Sequence, residues 1–322
     1  MKTLAKLMLA LAAAALLPAA AVAQTYPSKG IRVIIAFPPG AAHDMLGRLL
    51  AAEFSKGFAP GSFAENKPGG GTVIATDLVA KSPPDGHTML MVGFPFPLIN
   101  SMFPSSGIDV LRDFAPVVHV MSSPNALVVK ADSPYRTLGE LLAAAKANPG
   151  KVTYGSVGNG TSPHLGMELM KRSAGVDILN VPYKGSAPAL AALLGGEIDV
   201  MFDNLPNAVP HVKGGRMRAL AVTSPTRSRL MPEAPTMIEA GVPGFTMDIW
   251  FGVAVPAATP PDAVAKLNAE INRIVAMPEV RARLENLGLD VVGGTAEGFG
   301  KTIAADVAKW SAVVRDAGIK PQ

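Results

Sequence analysis

Cysteine is absent from all 322 residues. Disulfides therefore staple nothing, and thiolate catalysis and cysteine-based metal sites are excluded. A chain of this length can build its core without such bridges. Charge is also scarce: Asp, Glu, Lys and Arg together make up 17% of the residues, with a formal net charge of +4. No basic block occurs, which removes the electrostatic footprint of a nucleic-acid binder. No second long apolar run follows the first one, so the remainder reads as soluble. No His-Glu-x-x-His or comparable metal-ligand spacing is found, and no repeat of fixed period.

The amino terminus carries the one long apolar run. Lys2 and Lys6 precede Leu7–Leu17, Pro18 breaks the run, and Ala21-Val-Ala23 supplies small residues before Gln24. This is the pattern of a secretory signal peptide over residues 1–23, cut near Ala23/Gln24, and it places the protein in the periplasm. No cysteine follows the run, so a lipid anchor is excluded. Without Lys2 and Lys6 the formal charge of +4 falls to +2.

Beyond that point strands and helices alternate. Ile31–Phe37, Phe63–Asn66, Thr88–Val92, Phe114–Met121, Ala126–Val129, Val152–Tyr154, Ile198–Phe202, Arg218–Thr223 and Trp250–Val255 read as strands. Phe114–Met121 and Ala126–Val129 are separated by Ser122-Ser-Pro-Asn125. Helices are expected over Ala42–Phe54, Val73–Lys81, Ser186–Leu194, Pro278–Leu287 and Ala296–Ala317, and from Thr259-Pro-Pro-Asp262 to Ala276. Thr137 with Glu140 forms a capping box, and Ser162 followed by Pro163 marks another helix start. Such alternation implies an α/β fold with mostly parallel sheets and helices on both faces. Ligands in such sheets bind at the carboxyl ends of strands.

Three Gly-rich turns sit at such ends: Phe37–Asp44, Lys67–Thr72 and Gly155–His164. The first and third run into helices whose unpaired N–H groups and dipole favour an anion. Two such termini in one chain point to a small, negatively charged ligand held between two lobes.

The residues also match a family. Phe37-Pro-Pro-Gly40 with Asp44, Glu65-Asn-Lys-Pro-Gly-Gly-Gly71, Ser82-Pro-Pro-Asp-Gly86, Tyr154-Gly-Ser-Val-Gly-Asn-Gly160, Val181-Pro-Tyr-Lys-Gly-Ser186 and Leu194–Asp203 follow in order, with Arg218–Thr223, Pro235-Thr236, Glu239-Ala-Gly241 and Trp250-Phe-Gly252. The chain resembles the substrate-binding receptors of tripartite tricarboxylate transporters, the Bug family, over essentially its whole length after the signal peptide. The resemblance implies a two-lobed periplasmic-binding-protein fold of type II, with two crossing hinge strands. The lobes would comprise residues 24–122 plus 225–322, and residues 123–224. It also implies a monomeric receptor that captures a small carboxylate and delivers it to membrane permease subunits, with no cofactor and no metal. A co-sensor presenting its ligand to a two-component kinase is the alternative output. Two departures stand out. Ala41 and His43 occupy positions where the family commonly has Gly and a small hydroxyl or amide residue. Val92–Leu98 carries Phe94 and Phe96, a possible aromatic wall where small polar residues are common. These and the +2 balance lean toward an aromatic or dicarboxylic acid.

The candidate ligand-binding residues follow. Phe37, Pro38, Gly40, Ala41, Ala42, His43 and Asp44 form the first turn. Pro38 and Pro39 have no N–H to give, so the donors are those of Gly40, Ala41 and Ala42. His43 would face a ligand carboxylate, or be an ordinary surface His; Asp44 would contact ligand or orient the loop. Gly71, Thr72 and Phe94 come from the next two turns. Ser156, Gly158, Asn159, Gly160, Thr161 and His164 form the third Gly-rich turn, beside Tyr183 and Lys184. Asp203 ends a strand at the cleft, as a ligand acceptor or a hinge-bridging group. Trp250 and Phe251 read as core. A secreted hydrolase is the competing class, since Ser156 and Ser162 lie near His164. No Gly-x-Ser-x-Gly elbow surrounds either, and Ser162 and His164 stand two apart at a helix start, unsuited to a nucleophile–base pair. The expectation is therefore a binding protein and not an enzyme.

Overall fold

A computed structural model describes residues 26–158, 160–245 and 247–321. The expected signal peptide and Asn159 lie outside the described residues. The first half of the molecule is laid down by β1 (Arg32–Ile35), α1 (Ala42–Glu53), β2 (Phe63–Asn66), α2 (Val73–Ala80), β3 (Thr88–Gly93) and the short α3 (Ile99–Met102). A 17-residue strand, β4 (Phe114–Lys130), then leads into the second half. There follow α4 (Leu138–Ala147), β5 (Thr153–Ser156), α5 (Ser162–Ala174), β6 (Leu179–Pro182), α6 (Ser186–Gly195), β7 (Val200–Asn204), α7 (Leu205–Lys213) and β8 (Met217–Val222). The chain returns through β9 (Asp248–Pro256), α8 (Pro261–Ala276), α9 (Pro278–Asn286), β10 (Asp290–Val291) and α10 (Ala296–Asp316).

The strands form one continuous path, β2-β1-β3-β9-β4-β7-β5-β6, with β8 and β10 also paired to β4. Pairing is parallel on the outer sides, where β1 lies between β2 and β3 and β5 beside β6 and β7. It is antiparallel around β4 and β9. Helices cover both faces of each half. On the first half, Leu46 and Leu50 of α1 pack with Leu267, Ile271 and Ile274 of α8 on one side. Ala75 and Val79 of α2 pack with Phe299 and Ile303 of α10 on the other. On the second half, Leu138 and Leu141 of α4 pack with Leu165 and Met167 of α5, while Ala189 and Leu193 of α6 pack with Leu205 and Ala208 of α7.

The break expected at Ser122-Ser-Pro-Asn125 is absent, because β4 runs straight through it. Its composition is that of a turn, but its location explains the strand. From Phe114 to Pro124 the partner is β9, and from Asn125 to Val129 it is β7. Pro124 brings no N–H to the changeover, the place in a ladder where that loss costs least. Asn125 N–H donates to Thr223 Oγ1 at 2.8 Å. The return passage runs alongside: Thr223 N–H donates to the Asn125 carbonyl at 2.9 Å, and Met247 N–H to the Thr223 carbonyl at 3.1 Å. Met237, Val242, Phe245 and Met247 of this passage pack in the core of the second half.

Three further elements differ from the sequence pattern. The α5 helix starts one residue early, with Thr161 at its N-cap and Ser162 already helical. Helix α7 was concealed by Pro206 and Pro210, yet Pro206 sits in its first turn, where a missing N–H is harmless. Strand β6, with only four residues, lies at the edge of the sheet. The capping box forms as expected: Thr137 Oγ1 accepts from Glu140 N–H at 3.2 Å and Glu140 returns an acceptor to Thr137 N–H at 3.1 Å.

Helix α10 spans both halves. Phe299 and Ile303 pack on the first, and Trp310, Val313 and Val314 join Leu127, Leu165 and Phe202 of the second. Its middle is tied to β9 by Trp250 Nε1–H, which donates to Asp306 Oδ2 at 2.7 Å in the interior. Replacing Asp306→Ala strands that buried donor and is expected to lower the unfolding free energy by about 2–3 kcal/mol, with Asp306→Asn costing less. Urea titration of the three proteins measures this, and equal stability of Ala and Asn variants would contradict it.

Candidate functional site: a cleft between two helix starts

The turn before α1 is shaped from inside by one carboxylate. Asp44 Oδ2 accepts from Gly40 N–H at 3.0 Å. Its Oδ1 accepts from Arg48 Nε at 2.9 Å and Asn66 Nδ2 at 2.8 Å. Asn66 Nδ2 also donates to the Phe37 carbonyl, and Arg48 to Asn66 Oδ1. Burial pushes the Asp44 pKa up, but these donors outweigh it and hold the carboxyl below its usual range. Asp44 is thus the clamp of the loop. The Gly40 N–H is spent on it, contrary to the expectation that this donor opens to ligand. Gly40 adopts φ +88°, a conformation suited to glycine. Ala41 N–H makes a long 3.4 Å contact to the Pro38 carbonyl. No side chain caps α1, so the first helical N–H groups, beginning at Ala42, are left without a side-chain cap.

Facing this start is a second one that the sequence pattern did not reveal. Strand β7 ends at Asn204, which is the N-cap of α7 and makes no side-chain cap bond. Between them lies a cleft of about 290 Å³. Gly40, Ala41 and Ala42 line it on one side and Asn204, Pro206 and Asn207 on the other, with Ser123 of β4. Met45, Ile249, Phe251, Leu287 and Leu289 make an apolar wall. Asn204 Oδ1 is buried and lacks a partner among the described residues. The Asn-Leu-Pro-Asn pattern at 204–207 was the available signal, since Asn favours the N-cap and Pro the first turn.

Asp203 precedes this start. It is 1% exposed. Its Oδ1 accepts from Asn204 N–H at 2.9 Å and, at a long 3.5 Å, from Asn207 Nδ2. Its Oδ2 is buried with no partner. Burial pushes its pKa up to about 6 against the opposing pull of those two donors.

The third Gly-rich turn is held differently. Thr161 Oγ1 donates to the Gly158 carbonyl at 2.8 Å, and Gly160 N–H donates to His164 Nδ1 at 3.3 Å. A neutral His164 therefore carries its proton on Nε2; burial lowers its pKa. Ser156 Oγ is buried without a partner, while the Ser156 carbonyl accepts from Tyr183 N–H at 2.8 Å. Gly160 rests toward Met102 of α3, and none of Ser156, Gly158, Gly160, Thr161 or His164 lines the cleft described above. Tyr183 is half-buried and Lys184 exposed.

The remaining candidates sit elsewhere. Gly71 lies against the Phe103 ring, and Thr72, at φ +82°, has its Oγ1 buried without a partner. Phe94 and Phe96 do not form an aromatic wall. Phe94 is 3% exposed and meets Trp310 edge-on at 5.1 Å, and Phe96 meets Phe114 edge-on at 5.2 Å. Both rings are drawn inward because the turn that carries them crosses the core beneath α10. The aromatic face of the cleft comes from Phe251, which the sequence placed in the core. His43 is likewise buried, stacked 3.7 Å from Phe37 and tilted against Phe251 at 4.4 Å by ring centroids. It is neither a surface residue nor part of the lining.

Two α/β halves joined by β4 and a return passage, with a cleft at the strand ends between them, define the class of periplasmic solute-binding receptors. Residues 46–319 match the family model described as tripartite tricarboxylate transporter family receptor. A protein in the tcbD-tcbE intergenic region of Pseudomonas sp. strain P51 is 39% identical over 290 residues, covering 90% of this chain and 86% of that one. Protein BugT of Bordetella pertussis is 36% identical over 300 residues, covering 92% of each. Among solved structures, a TctC solute-binding protein from Polaromonas superposes with a TM-score of 0.81 at 30% identity, covering 91% of this chain and 100% of that one. Rpa4515 of R. palustris, solved with adipate, gives 0.75 at 34% identity, covering 92% and 100%. MatC of Rhodopseudomonas palustris, solved with bound malate, gives 0.72 at 31% identity, covering 90% and 100%. The chain belongs to the tripartite tricarboxylate transporter receptor family.

Two outcomes are expected of the acids at this site. Asp44→Ala frees three donors and is expected to lower stability by about 1–2 kcal/mol and to weaken ligand binding, as read by denaturation and calorimetry. Asp203 has a folded pKa above its unfolded value near 3.8. Its contribution is therefore complete below about pH 4 and lost as pH rises through about 6. Relative to wild type, Asp203→Asn should gain about 2 kcal/mol of stability between pH 4 and 7. A difference between the two proteins that does not change with pH would refute this.

Proposed function

We propose that this receptor works outside the cytoplasmic membrane, capturing a small organic acid in the cleft between α1 and α7 and handing it to the permease subunits of a tripartite tricarboxylate-type transporter. The observation that carries the reading is the pair of uncapped helix starts facing one cleft that, among the described residues, no charged side chain lines. An acid there is solvated by fixed N–H dipoles and by Ser123, Asn204 and Asn207 in place of water. The related proteins solved with adipate and with malate support an organic acid as ligand.

The two halves close about the paired segments at Ser122–Asn125 and Thr223, and closure completes the shell around the ligand. In this reading residues 1–23 are removed on export and the receptor acts as a monomer. The lobes expected at residues 24–122 plus 225–322 and at residues 123–224 are kept in this reading, except that the second is extended to residue 247, because Met237, Val242, Phe245 and Met247 pack in its core. Presentation to a sensor kinase would use the same closed form. The arrangement of Ser156 and His164 favours a receptor over a hydrolase: the serine Oγ has no base beside it, and His164 Nδ1 is engaged by Gly160.

Native mass spectrometry of the purified protein, followed by a melting screen against organic acids, tests the proposal. A co-purified or stabilising acid is expected, and Asn204→Ala should weaken its binding about 5- to 10-fold. Should no acid raise the melting temperature, the reading fails.

A further inference from the structure

The aromatic wall of the cleft has a second face. Phe251 lines the cavity and also lies against His43, with ring planes 48° apart. His43 is in turn stacked on Phe37, with planes 17° apart. It occupies the first turn of α1, behind the loop that meets the ligand, and its Nε2 is buried with no partner. Gly93 makes the room. A Cβ there would stand 2.2 Å from His43 Nε2. Three rings are thus in contact in a row, Phe37 stacked on His43 and His43 tilted against Phe251, and the last of them lines the cleft.

We infer that this row of ring contacts makes His43 a specificity-determining residue, which holds Phe251 as a fixed apolar wall so that the cleft selects acids with an apolar body over short acids bearing hydroxyl or amine groups. The inference rests on the organic-acid reading above and deepens it. Met45, Ile249, Leu287 and Leu289 extend the same wall. Among the described residues, no lysine, arginine or histidine lines the cleft to pair with a second carboxylate held against it, and no carboxylate lines it to accept from an amine. At about 30 Å³ for a water-sized group, the space takes on the order of ten non-hydrogen atoms. Each methylene brought against the wall adds affinity, whereas a hydroxyl or ammonium placed there loses its water. Burial pushes the His43 pKa down to about 3, so the ring acts by shape and not by charge.

The test is calorimetric titration of the purified protein with phenylacetate and hexanoate on one side and malate and aspartate on the other. Wild type is expected to prefer the first pair by about 10-fold or more. His43→Ser removes the middle ring and is expected to shrink that preference at least about 3-fold, a change of ratio that a loss of stability alone does not produce. Should that variant fail to fold, His43→Gln keeps most of the volume and the neutrality without the stack and is expected to give the same loss. Tighter binding of malate or aspartate by wild type overturns the inference while leaving the organic-acid reading intact. An unchanged preference in a folded His43 variant overturns it too. Binding of none of the four acids, nor of any acid in the melting screen, removes the organic-acid reading and this inference with it.

Discussion

The whole architecture depends on one strand exchanging its hydrogen-bond partner without stopping. Along β4 the ladder to β9 ends at Pro124 and the ladder to β7 begins at Asn125. A backbone group left unpaired in the interior is costly, so a strand passing between two sheets needs a residue that demands nothing at the junction and another that is satisfied from the side. Pro124 has no donor to lose, and Thr223 accepts from Asn125 through its hydroxyl. Everything near the cleft is measured from that point: Ser123 is one residue before it, Asn204 pairs with Asn125, and Ile249 and Phe251 come from the strand just left behind.

The cleft built on this junction uses polarity without formal charge. Asp44 sits under the first helix start, yet its oxygens face Gly40, Arg48 and Asn66 and not the ligand space. Asp203 sits under the second start, bound to Asn204 N–H. Both acids organise backbone, one with its pKa depressed by its donors and the other with its pKa raised by burial. The donors left over belong to the uncapped starts of α1 and α7, whose residues line the cavity. Dipoles held in place this way need little reorganisation when an anion arrives, which is the advantage of a helix start over a flexible lysine.

What was legible in the sequence was local. The capping box at Thr137 and Glu140, the Gly-rich turns and the helix periodicities all lie within a few residues of one another, and each formed near its expected place. The lining of the cleft is not local, because Met45, Ser123, Asn204, Phe251 and Leu289 are brought together only by the sheet order. The misreadings have the same origin. Ser122-Ser-Pro-Asn125 has the composition of a turn, and only a change of partner makes it strand. Pro206 and Pro210 resemble helix breakers; the first-turn position of Pro206 removes its conflict, and Pro210 is accommodated inside the helix. Phe94 and Phe96 stand in a turn near the cleft, but Trp310 and Phe114, remote in sequence, pull them inward. The family motifs located the first Gly-rich turn correctly while saying nothing about which of its N–H groups is already taken.

Helix α10 has a mechanical consequence. Its first turns are packed on one half and its last turns on the other, where Arg172 pairs with Asp316 at 2.7 Å. Phe94, Leu98 and Met102 meet Trp310, Val313 and Val314 along the same seam. Separating the halves on that side would wet several large apolar side chains, at roughly 1.5–3 kcal/mol for each one fully exposed. The seam therefore resists separation, whereas Gly40 and Leu287 at the rim of the cleft are exposed to solvent. In the proposed reading, opening of the cleft would therefore leave the α10 side of the molecule closed.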